Sequence, residues 1–258
     1  MHIVVIKIGG ATLDASDFLF QLSSSIKEIS GRFFPVIVHG GGKDIARQLD
    51  IQKKEYRFVE GMRVTDAETV GVVQMVLSGD VNKRIVNALQ TRGVEAIGVS
   101  GVDCGLFLAS RMLVKGQDIG FVGAIESVNL KVIELCMHNR IVAVVSPISR
   151  DAQGNIYNVN ADVAAAELAK KCRAQHLVFV SDVPGVLIDN KVKHSLGVAE
   201  IEGLIASGQI KGGMVPKVRG SAEAVRAGVK NSHICGWNGS STIAQELEAK
   251  TMTGTVIC

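Results

Sequence analysis

Short apolar segments rich in Val and Ile alternate along this chain with longer segments in which apolar residues recur every three or four positions. The short runs are typical of strands buried on both faces, and the longer pattern is typical of amphipathic helices. The pattern predicts strands over 3–8, 35–39, 95–100, 141–147, 176–181 and 255–257. It predicts helices over 15–30, 42–49, 67–92, 130–139, 160–171, 198–207, 217–227 and 241–250. This alternation indicates an α/β fold with a mainly parallel sheet covered by helices on both faces.

One segment, 111–129, departs from this alternation. Glycines at 116, 120 and 123 separate Val-containing pieces, which is typical of a β-hairpin, so we expect an inserted hairpin or lid. No Ser/Pro-rich linker divides the chain. We therefore expect two lobes in one continuous fold, an N-terminal lobe over 1–160 and a C-terminal lobe over 161–258.

Charge and composition exclude several classes of protein. The 258 residues carry 28 basic and 25 acidic side chains, a balance unlike that of proteins that bind nucleic acids or anionic membranes. The five cysteines form no C-x-x-C pair, so we assign them no metal or redox role. Lys7 interrupts the first apolar run, and no later run is long enough for a membrane span. We expect a soluble, cytoplasmic protein with no protein-held metal.

Two glycine motifs follow predicted strands, where backbone N–H groups can approach an anion closely. They are Lys7-Ile8-Gly9-Gly10 and His39-Gly40-Gly41-Gly42. Neither motif matches a P-loop or a full Rossmann fingerprint, so any phosphate would be bound by another scaffold. We interpret His39 as a packing or hydrogen-bonding residue rather than as a catalyst.

Two polar motifs precede predicted helices. In Gly61-Met62-Arg63-Val64-Thr65-Asp66, the arginine offers a planar fork for a carboxylate, although a surface arginine beside a helix cap has the same pattern. In Tyr157-Asn158-Val159-Asn160-Ala161-Asp162, polar residues alternate up to a helix start. Three amide or carboxylate groups are more than one helix cap requires, although Asn160 alone could be a cap.

Two further motifs lie in the C-terminal part of the chain. They are Ser181-Asp182-Val183-Pro184-Gly185-Val186 and Gly212-Gly213-Met214-Val215-Pro216-Lys217. A lysine at the predicted start of a helix is unfavourable for the helix dipole, which indicates a functional reason for Lys217.

Taken in order, these motifs resemble the acetylglutamate kinases of the amino acid kinase family over essentially the whole chain. The resemblance implies a three-layer αβα sandwich, a homodimer, an amino acid site in the N-terminal lobe and an ATP site in the C-terminal lobe. It also implies transfer of the γ-phosphoryl group of ATP to the γ-carboxylate of N-acetyl-L-glutamate, a step of arginine biosynthesis. Mg²⁺ would be bound mainly through the nucleotide.

The resemblance also implies residue roles, by motif position. Catalysis would involve Lys7, Lys217, Asp162, Gly10 and Gly41, with Asp162 holding both ammonium groups. The amino acid substrate would contact Gly41, Gly42, Arg63, Asn158 and Asn160. The nucleotide would contact Lys7, Gly9, Gly10, Ser181, Asp182, Val183, Gly212, Gly213, Met214 and Lys217. No catalytic base is needed, because a carboxylate acceptor is already ionised at neutral pH.

The sequence departs from the family pattern at two places. Ala124 stands where many relatives have glutamate, and the segment 235–240 is unusual. The short stretch before Lys7 leads us to expect a dimer without arginine inhibition. Two alternatives remain open: a related kinase for another N-blocked acidic amino acid, such as aminoadipate or glutamate on a carrier protein, and a non-catalytic amino acid sensor.

Overall fold

The structure is a computed structural model that describes residues 2–13, 17–248 and 251–258. In its first half the elements are β1 (His2–Ile8), α1 (Gly10–Leu13), α2 (Phe18–Ile29), β2 (Phe33–His39), α3 (Gly42–Ile51), β3 (Phe58–Val59), β4 (Met62–Arg63), α4 (Ala67–Gln74), a π-helical turn (Met75–Val81), α5 (Asn82–Gln90), β5 (Ala96–Ser100), a 3₁₀ turn (Asp103–Gly105), β6 (Phe107–Val114) and β7 (Gln117–Val128).

The second half of the chain continues the alternation. Its elements are α6 (Lys131–His138), β8 (Val142–Ser146), β9 (Ile148–Arg150), β10 (Ile156–Asn158), α7 (Ala161–Cys172), β11 (His176–Ser181), β12 (Leu187–Ile188), β13 (Lys191–Val192), β14 (Ser195–Leu196), α8 (Ile201–Ala206), α9 (Met214–Arg226), β15 (Asn231–Gly236), α10 (Thr242–Leu247) and β16 (Thr255–Ile257). Two predicted helices extend onto Ala15, Ser16, Ala249 and Lys250, which lie outside the described residues.

Eight strands form one sheet in the order β14-β16-β15-β11-β1-β2-β8-β5. All neighbours are parallel except β15 and β16. Strands β8 and β11 are buried along their whole length, because helices cover both faces of the sheet. The predicted α/β architecture is confirmed. The sheet runs without interruption from β1 to β11, so the division into lobes at residue 160 stays a prediction.

Side chains of β1 alternate between two hydrophobic cores, as the period of two of a strand requires. Val4 and Ile6 pack in one core, and Val5 packs in the other. Lys7 lies on the same face of β1 as Val5, and this face is covered by α7, whose Leu168 belongs to the same core. The lysine therefore emerges from a buried strand directly beside the start of α7.

The predicted helix over 67–92 is confirmed from Ala67 to Gln90. Its middle, Met75–Val81, is a π-helical turn between α4 and α5, which the sequence pattern did not indicate. The predicted start of the last long helix was wrong, since α9 begins at Met214 and Lys217 is its fourth residue. Pro216 is tolerated in this first turn, because the N–H that proline lacks has no acceptor there.

The sequence pattern missed β15, which lies between β11 and β16. Its first three residues are polar, which conceals the strand pattern, yet Ser232 and His233 are buried and each has a hydrogen-bond partner on another element. Ser232 donates a hydrogen bond to Ser221 (2.9 Å), and His233 is hydrogen-bonded to His176 of β11 (3.0 Å). Hydrogen bonding to partners distant in sequence removes the cost of burying these groups.

The expected hairpin is confirmed, but it starts earlier, at Phe107. Lys115 and Gly116 both have positive φ (52° and 77°), the geometry of a tight two-residue hairpin turn. The hairpin does not stand apart from the rest of the molecule. Strands β6, β7, β9 and β10 close into a small four-stranded sheet, in which Asn158 of β10 pairs with Val122 of β7.

No helix among the described residues is long and apolar enough to cross a membrane.

Two glycines of the hairpin provide a stability test. Gly116 and Gly120 have similar φ (77° and 83°), but a Cβ at Gly116 would meet open space, whereas one at Gly120 would lie 2.2 Å from the Thr65 carbonyl oxygen. We expect Gly116→Ala to cost about 1 kcal/mol of unfolding free energy from backbone strain. Gly120→Ala should cost about 2 kcal/mol more, because β7 must move away from the Thr65 backbone. Urea denaturation measures both, and equal losses would show that this close approach does not constrain the fold.

Candidate active site

Asp162 lies between two lysines at the carboxyl end of β1. Its Oδ1 is 2.7 Å from Lys7 Nζ, and its Oδ2 is 3.0 Å from Lys217 Nζ. The three side chains are only 10%, 11% and 18% exposed for Lys7, Asp162 and Lys217. Burial acts to raise the pKa of Asp162, but the two ammonium groups outweigh it and hold the pKa below its usual value. The carboxylate is therefore ionised, and two positive charges converge on it.

The first turn of α7 places this carboxylate. Asn160 is the N-cap, and its Oδ1 accepts hydrogen bonds from the N–H groups of Asp162 (2.8 Å) and Val163 (3.3 Å). An acidic residue in the first turn of a helix is stabilised by the helix dipole. The Asn160 oxygen thus has a structural role as a cap, and its contact with a substrate stays a prediction.

Two glycine turns touch each other next to Lys7. A Cβ at Gly10 would lie 3.0 Å from the nitrogen of Gly42 and 3.1 Å from the Cα of Gly41. A Cβ at Gly41 would lie 2.6 Å from Leu77 Cδ2. Gly41 and Gly42 are the N-cap and first residue of α3, where N–H groups have no acceptor within the helix. We call Gly10, Gly41 and Gly42 the glycine cradle, a concave surface suited to an anion.

Arg63 lies on the Gly42 side of the glycine cradle. Its Nη2 donates to the carbonyl oxygen of Gly42 (3.0 Å), and its guanidinium stacks on the rings of Tyr56 (4.3 Å) and Phe58 (4.8 Å). Nη1 is buried without a hydrogen-bond partner among the described residues. Burial lowers the pKa of Arg63, but a guanidinium stays protonated. A buried, unpaired N–H group is costly, so this one suits a ligand carboxylate.

Thr65 joins Arg63 to Asn158. Its hydroxyl donates to the Arg63 carbonyl oxygen (2.7 Å) and accepts from Asn158 Nδ2 (3.3 Å). Thr65 is fully buried, and its backbone carbonyl accepts from Phe121 of β7. The hairpin thus fixes two substrate-binding candidates that lie 95 positions apart in sequence.

The residues predicted to bind the nucleotide follow β11 and precede α9. Ser181 Oγ donates to Asp182 Oδ1 (3.0 Å), and the Val183 carbonyl lies 3.3 Å from where a Cβ of Gly236 would be. Gly212 has positive φ (59°), and Gly213 is the N-cap of α9, which carries Lys217. The predicted contacts of these residues, and of Gly9 and Met214, with a nucleotide stay predictions. Among the described residues, no cluster of three or more His, Cys, Asp or Glu side chains could hold a metal ion.

The sequence profile of the amino acid kinase family matches residues 2–236 of this chain. The chain belongs to the amino acid kinase family. Curated relatives of this amino acid kinase confirm the finer resemblance. Acetylglutamate kinase of Archaeoglobus fulgidus is 39% identical, with 98% of this chain and 92% of that protein aligned. Acetylglutamate kinase of Brachyspira hyodysenteriae is also 39% identical, over 90% of this chain and 82% of that protein.

Solved structures of similar fold agree with the family assignment. A Streptococcus mutans UA159 protein has a TM-score of 0.84 at 28% identity, covering 99% of this chain and 98% of its own. N-acetylglutamate synthase from Neisseria gonorrhoeae has a TM-score of 0.88 at 22% identity, covering all of this amino acid kinase and 59% of the synthase chain. At that identity the likeness concerns the fold alone.

The sequence analysis of this amino acid kinase missed the rings of Tyr56 and Phe58 and the linking role of Thr65. Their signals were weak, because an aromatic residue near an arginine is common in loops. The unusual segment 235–240 has a structural role instead. Trp237 Nε1 donates to Gln21 Oε1 (2.8 Å), and its ring lies 4.7 Å from that of Phe18, edge to face. Ala124, the other departure, lies in β7 opposite Ser110.

The glycine cradle can be tested with one methyl group. We expect Gly10→Ala to lower turnover about 100-fold or more, because the added Cβ would cover the Gly41 and Gly42 amides. The far-ultraviolet circular dichroism spectrum should not change, since Gly10 lies in a helical turn with no positive φ. Gly31→Ala is the control, because an exposed Cβ there has no neighbour within 4 Å. If Gly10→Ala retained full turnover, the cradle would not contact the reacting groups.

Proposed function

We propose that this chain is an ATP-dependent kinase that phosphorylates the γ-carboxylate of N-acetyl-L-glutamate in arginine biosynthesis. The observation that supports this most is the pairing of Lys7 and Lys217 on Asp162 beside the glycine cradle. On the Gly42 side of the cradle, Arg63 offers an unpaired, buried Nη1. One end is suited to phosphoryl groups and the other to a carboxylate.

The reaction requires alignment and charge neutralisation. A γ-carboxylate oxygen attacks the γ-phosphorus of ATP, the bond from phosphorus to the β,γ-bridging oxygen breaks, and ADP leaves with that electron pair. No proton is removed, because the acceptor is already ionised. Lys7 and Lys217 stabilise the negative charge of the phosphoryl group as it moves, and Asp162 holds both ammonium groups in position.

The amino acid end of the site favours an N-blocked substrate. Arg63 would bind the α-carboxylate, and Asn158 would contact the amide of the acetylamino group. Free L-glutamate would bring an ammonium group into a site that already holds Arg63, Lys7 and Lys217, and like charges repel. N-acetylation removes this charge and leaves a neutral amide that can hydrogen-bond.

ATP fits the start of α9 and the turns after β1 and β11, where Gly213 and the glycine cradle present backbone N–H groups. Mg²⁺, bound mainly by phosphate oxygens and water, would neutralise part of the phosphate charge. A homodimer is part of this proposal, as the family resemblance implies, and sedimentation would test it.

The function is tested by ATP consumption with magnesium and N-acetyl-L-glutamate, free L-glutamate or N-acetyl-L-aspartate, with hydroxylamine trapping any acyl phosphate. We expect hydroxamate with N-acetyl-L-glutamate alone. Hydroxamate only with a carrier-linked aminoadipate or glutamate would reassign the substrate. Nucleotide binding without hydroxamate from any of these acceptors would favour a non-catalytic sensor.

Lys217→Ala tests the phosphoryl-transfer end. We expect kcat to fall by about 100-fold or more with little change in KM for N-acetyl-L-glutamate, because one of two converging positive charges is lost. Lys171→Ala, an exposed lysine on the helix that carries Asp162, is the matched control and should keep wild-type kcat. A similar small loss in both variants would contradict the role of Lys217.

Arg63 tests the carboxylate end. We expect Arg63→Ala to raise KM for N-acetyl-L-glutamate about 10- to 100-fold, the size expected for a charge-assisted hydrogen bond, with KM for ATP nearly unchanged. Arg63→Lys should give an intermediate KM, because lysine keeps the charge but loses the planar fork. Initial rates at varied substrate concentrations measure both KM values. A rise in KM for ATP alone would show that Arg63 binds the nucleotide and not the amino acid.

A further inference from the structure

A buried histidine and asparagine lie directly behind the glycine cradle. His39 ends β2, and Asn82 begins α5 after the π-helical turn, and both are fully buried. His39 Nδ1 lies 2.9 Å from the carbonyl oxygen of Gly40, and His39 Nε2 lies 3.2 Å from Asn82 Nδ2. Neither residue has a role in the phosphoryl transfer described above.

The partners of Asn82 fix which of its side-chain atoms faces His39. Its Oδ1 accepts from Lys83 Nζ (2.9 Å), and its Nδ2 donates to the Val144 carbonyl oxygen (2.9 Å). A lysine can only donate and a carbonyl can only accept, so the amide cannot be reversed. The group that faces His39 Nε2 is therefore an N–H donor.

This donor fixes the tautomer of His39. Because Asn82 donates to Nε2, that nitrogen must be the acceptor, and the ring hydrogen must be on Nδ1. Nδ1 faces the Gly40 carbonyl oxygen, which is itself only an acceptor. Both neighbours thus require the same neutral imidazole, with Nδ1–H donating to Gly40.

The bond to Gly40 sets the direction of the next N–H group. In a trans peptide the carbonyl of Gly40 and the N–H of Gly41 lie in one plane and point in opposite directions. Since the Gly40 carbonyl points toward the His39 ring, the Gly41 N–H points away from it. The Gly41 nitrogen lies 3.2 Å from where a Cβ of Gly10 would be, so this side is the glycine cradle.

We propose that His39, held in one tautomer by Asn82, is a positioning residue that aims the Gly41 N–H at the reacting groups. This inference rests on the proposed function, in which the cradle binds the transferring phosphoryl group and its acceptor. The π-helical turn takes part, because Leu77 and Val81 from this turn pack on Gly41 while Asn82 follows directly after it.

Two substitutions separate the two hydrogen bonds of His39. Asparagine places an N–H near the position of Nδ1, so His39→Asn keeps the bond to Gly40. Glutamine reaches the position of Nε2, so His39→Gln keeps the bond from Asn82 and loses the one to Gly40. We expect His39→Gln to lower kcat about 30-fold or more, with KM for both substrates within about threefold, because a misaimed donor acts on the transition state. His39→Asn should retain most of the turnover.

A merely structural histidine would give another result. In that case the two variants would lose stability and kcat together, without the difference between asparagine and glutamine. Equal kcat values for His39→Asn and His39→Gln, with both variants folded by circular dichroism, would overturn the inference while the wild-type hydroxamate assay still supported the function.

A second measurement does not depend on turnover. Long-range ¹H–¹⁵N correlation spectra of the ¹⁵N-labelled wild-type protein at pH 7 report which imidazole nitrogen carries the hydrogen. We expect His39 in the neutral Nδ1–H tautomer, with its signals identified by their loss in His39→Gln and so distinguished from those of His194, whose Nδ1 also lies 3.0 Å from a carbonyl oxygen, that of Gly254. The Nε2–H tautomer at His39 would overturn the inference, whether or not the protein phosphorylates N-acetyl-L-glutamate.

Discussion

The carboxylate of Asp162 is the group on which the rest of the site depends. Two ammonium groups lie within 3.0 Å of its oxygens, one from a strand and one from a helix more than 200 residues later. The two ammonium groups repel each other, and this repulsion is screened less in a largely buried site than in bulk water. The carboxylate offsets this repulsion and keeps both lysines ready to meet phosphate. Without it, the repulsion between Lys7 and Lys217 would drive the two side chains apart.

The geometry around Asp162 follows from the parallel sheet. Parallel strands end at one edge, so β1, β2 and β11 bring their following turns together there, as is common for ligand sites in open α/β sheets. The helices α3 and α7 start at this edge and point their N-termini toward it. Helix dipoles and free N–H groups therefore add to the positive potential of the lysines. A polyanion is the ligand that this potential stabilises most.

Buried polar groups are arranged differently in the two halves of the molecule. In β15, Ser232 donates to Ser221 of α9 and His233 Nε2 is hydrogen-bonded to His176 of β11, and these contacts hold the strand in place. Near the cradle, Nη1 of Arg63 is buried without a hydrogen-bond partner among the described residues. Its desolvation costs free energy, which a hydrogen bond to a substrate carboxylate would offset. Paired buried groups stabilise the fold, whereas an unpaired buried donor leaves a hydrogen bond to be made by a ligand.

The sequence by itself determined the α/β class, six of the eight strands of the large sheet and the motifs that hold Lys7, Asp162 and Lys217, because apolar periodicity and glycine turns are local properties. It did not reveal β15, the π-helical turn or the linking role of Thr65, since each depends on partners distant in the chain. It also placed His39 only as a hydrogen-bonding residue, which the structure confirms. Only the tertiary structure decided which atoms of His39, Asn82 and Gly40 form hydrogen bonds, because packing and not sequence spacing brings these three residues together.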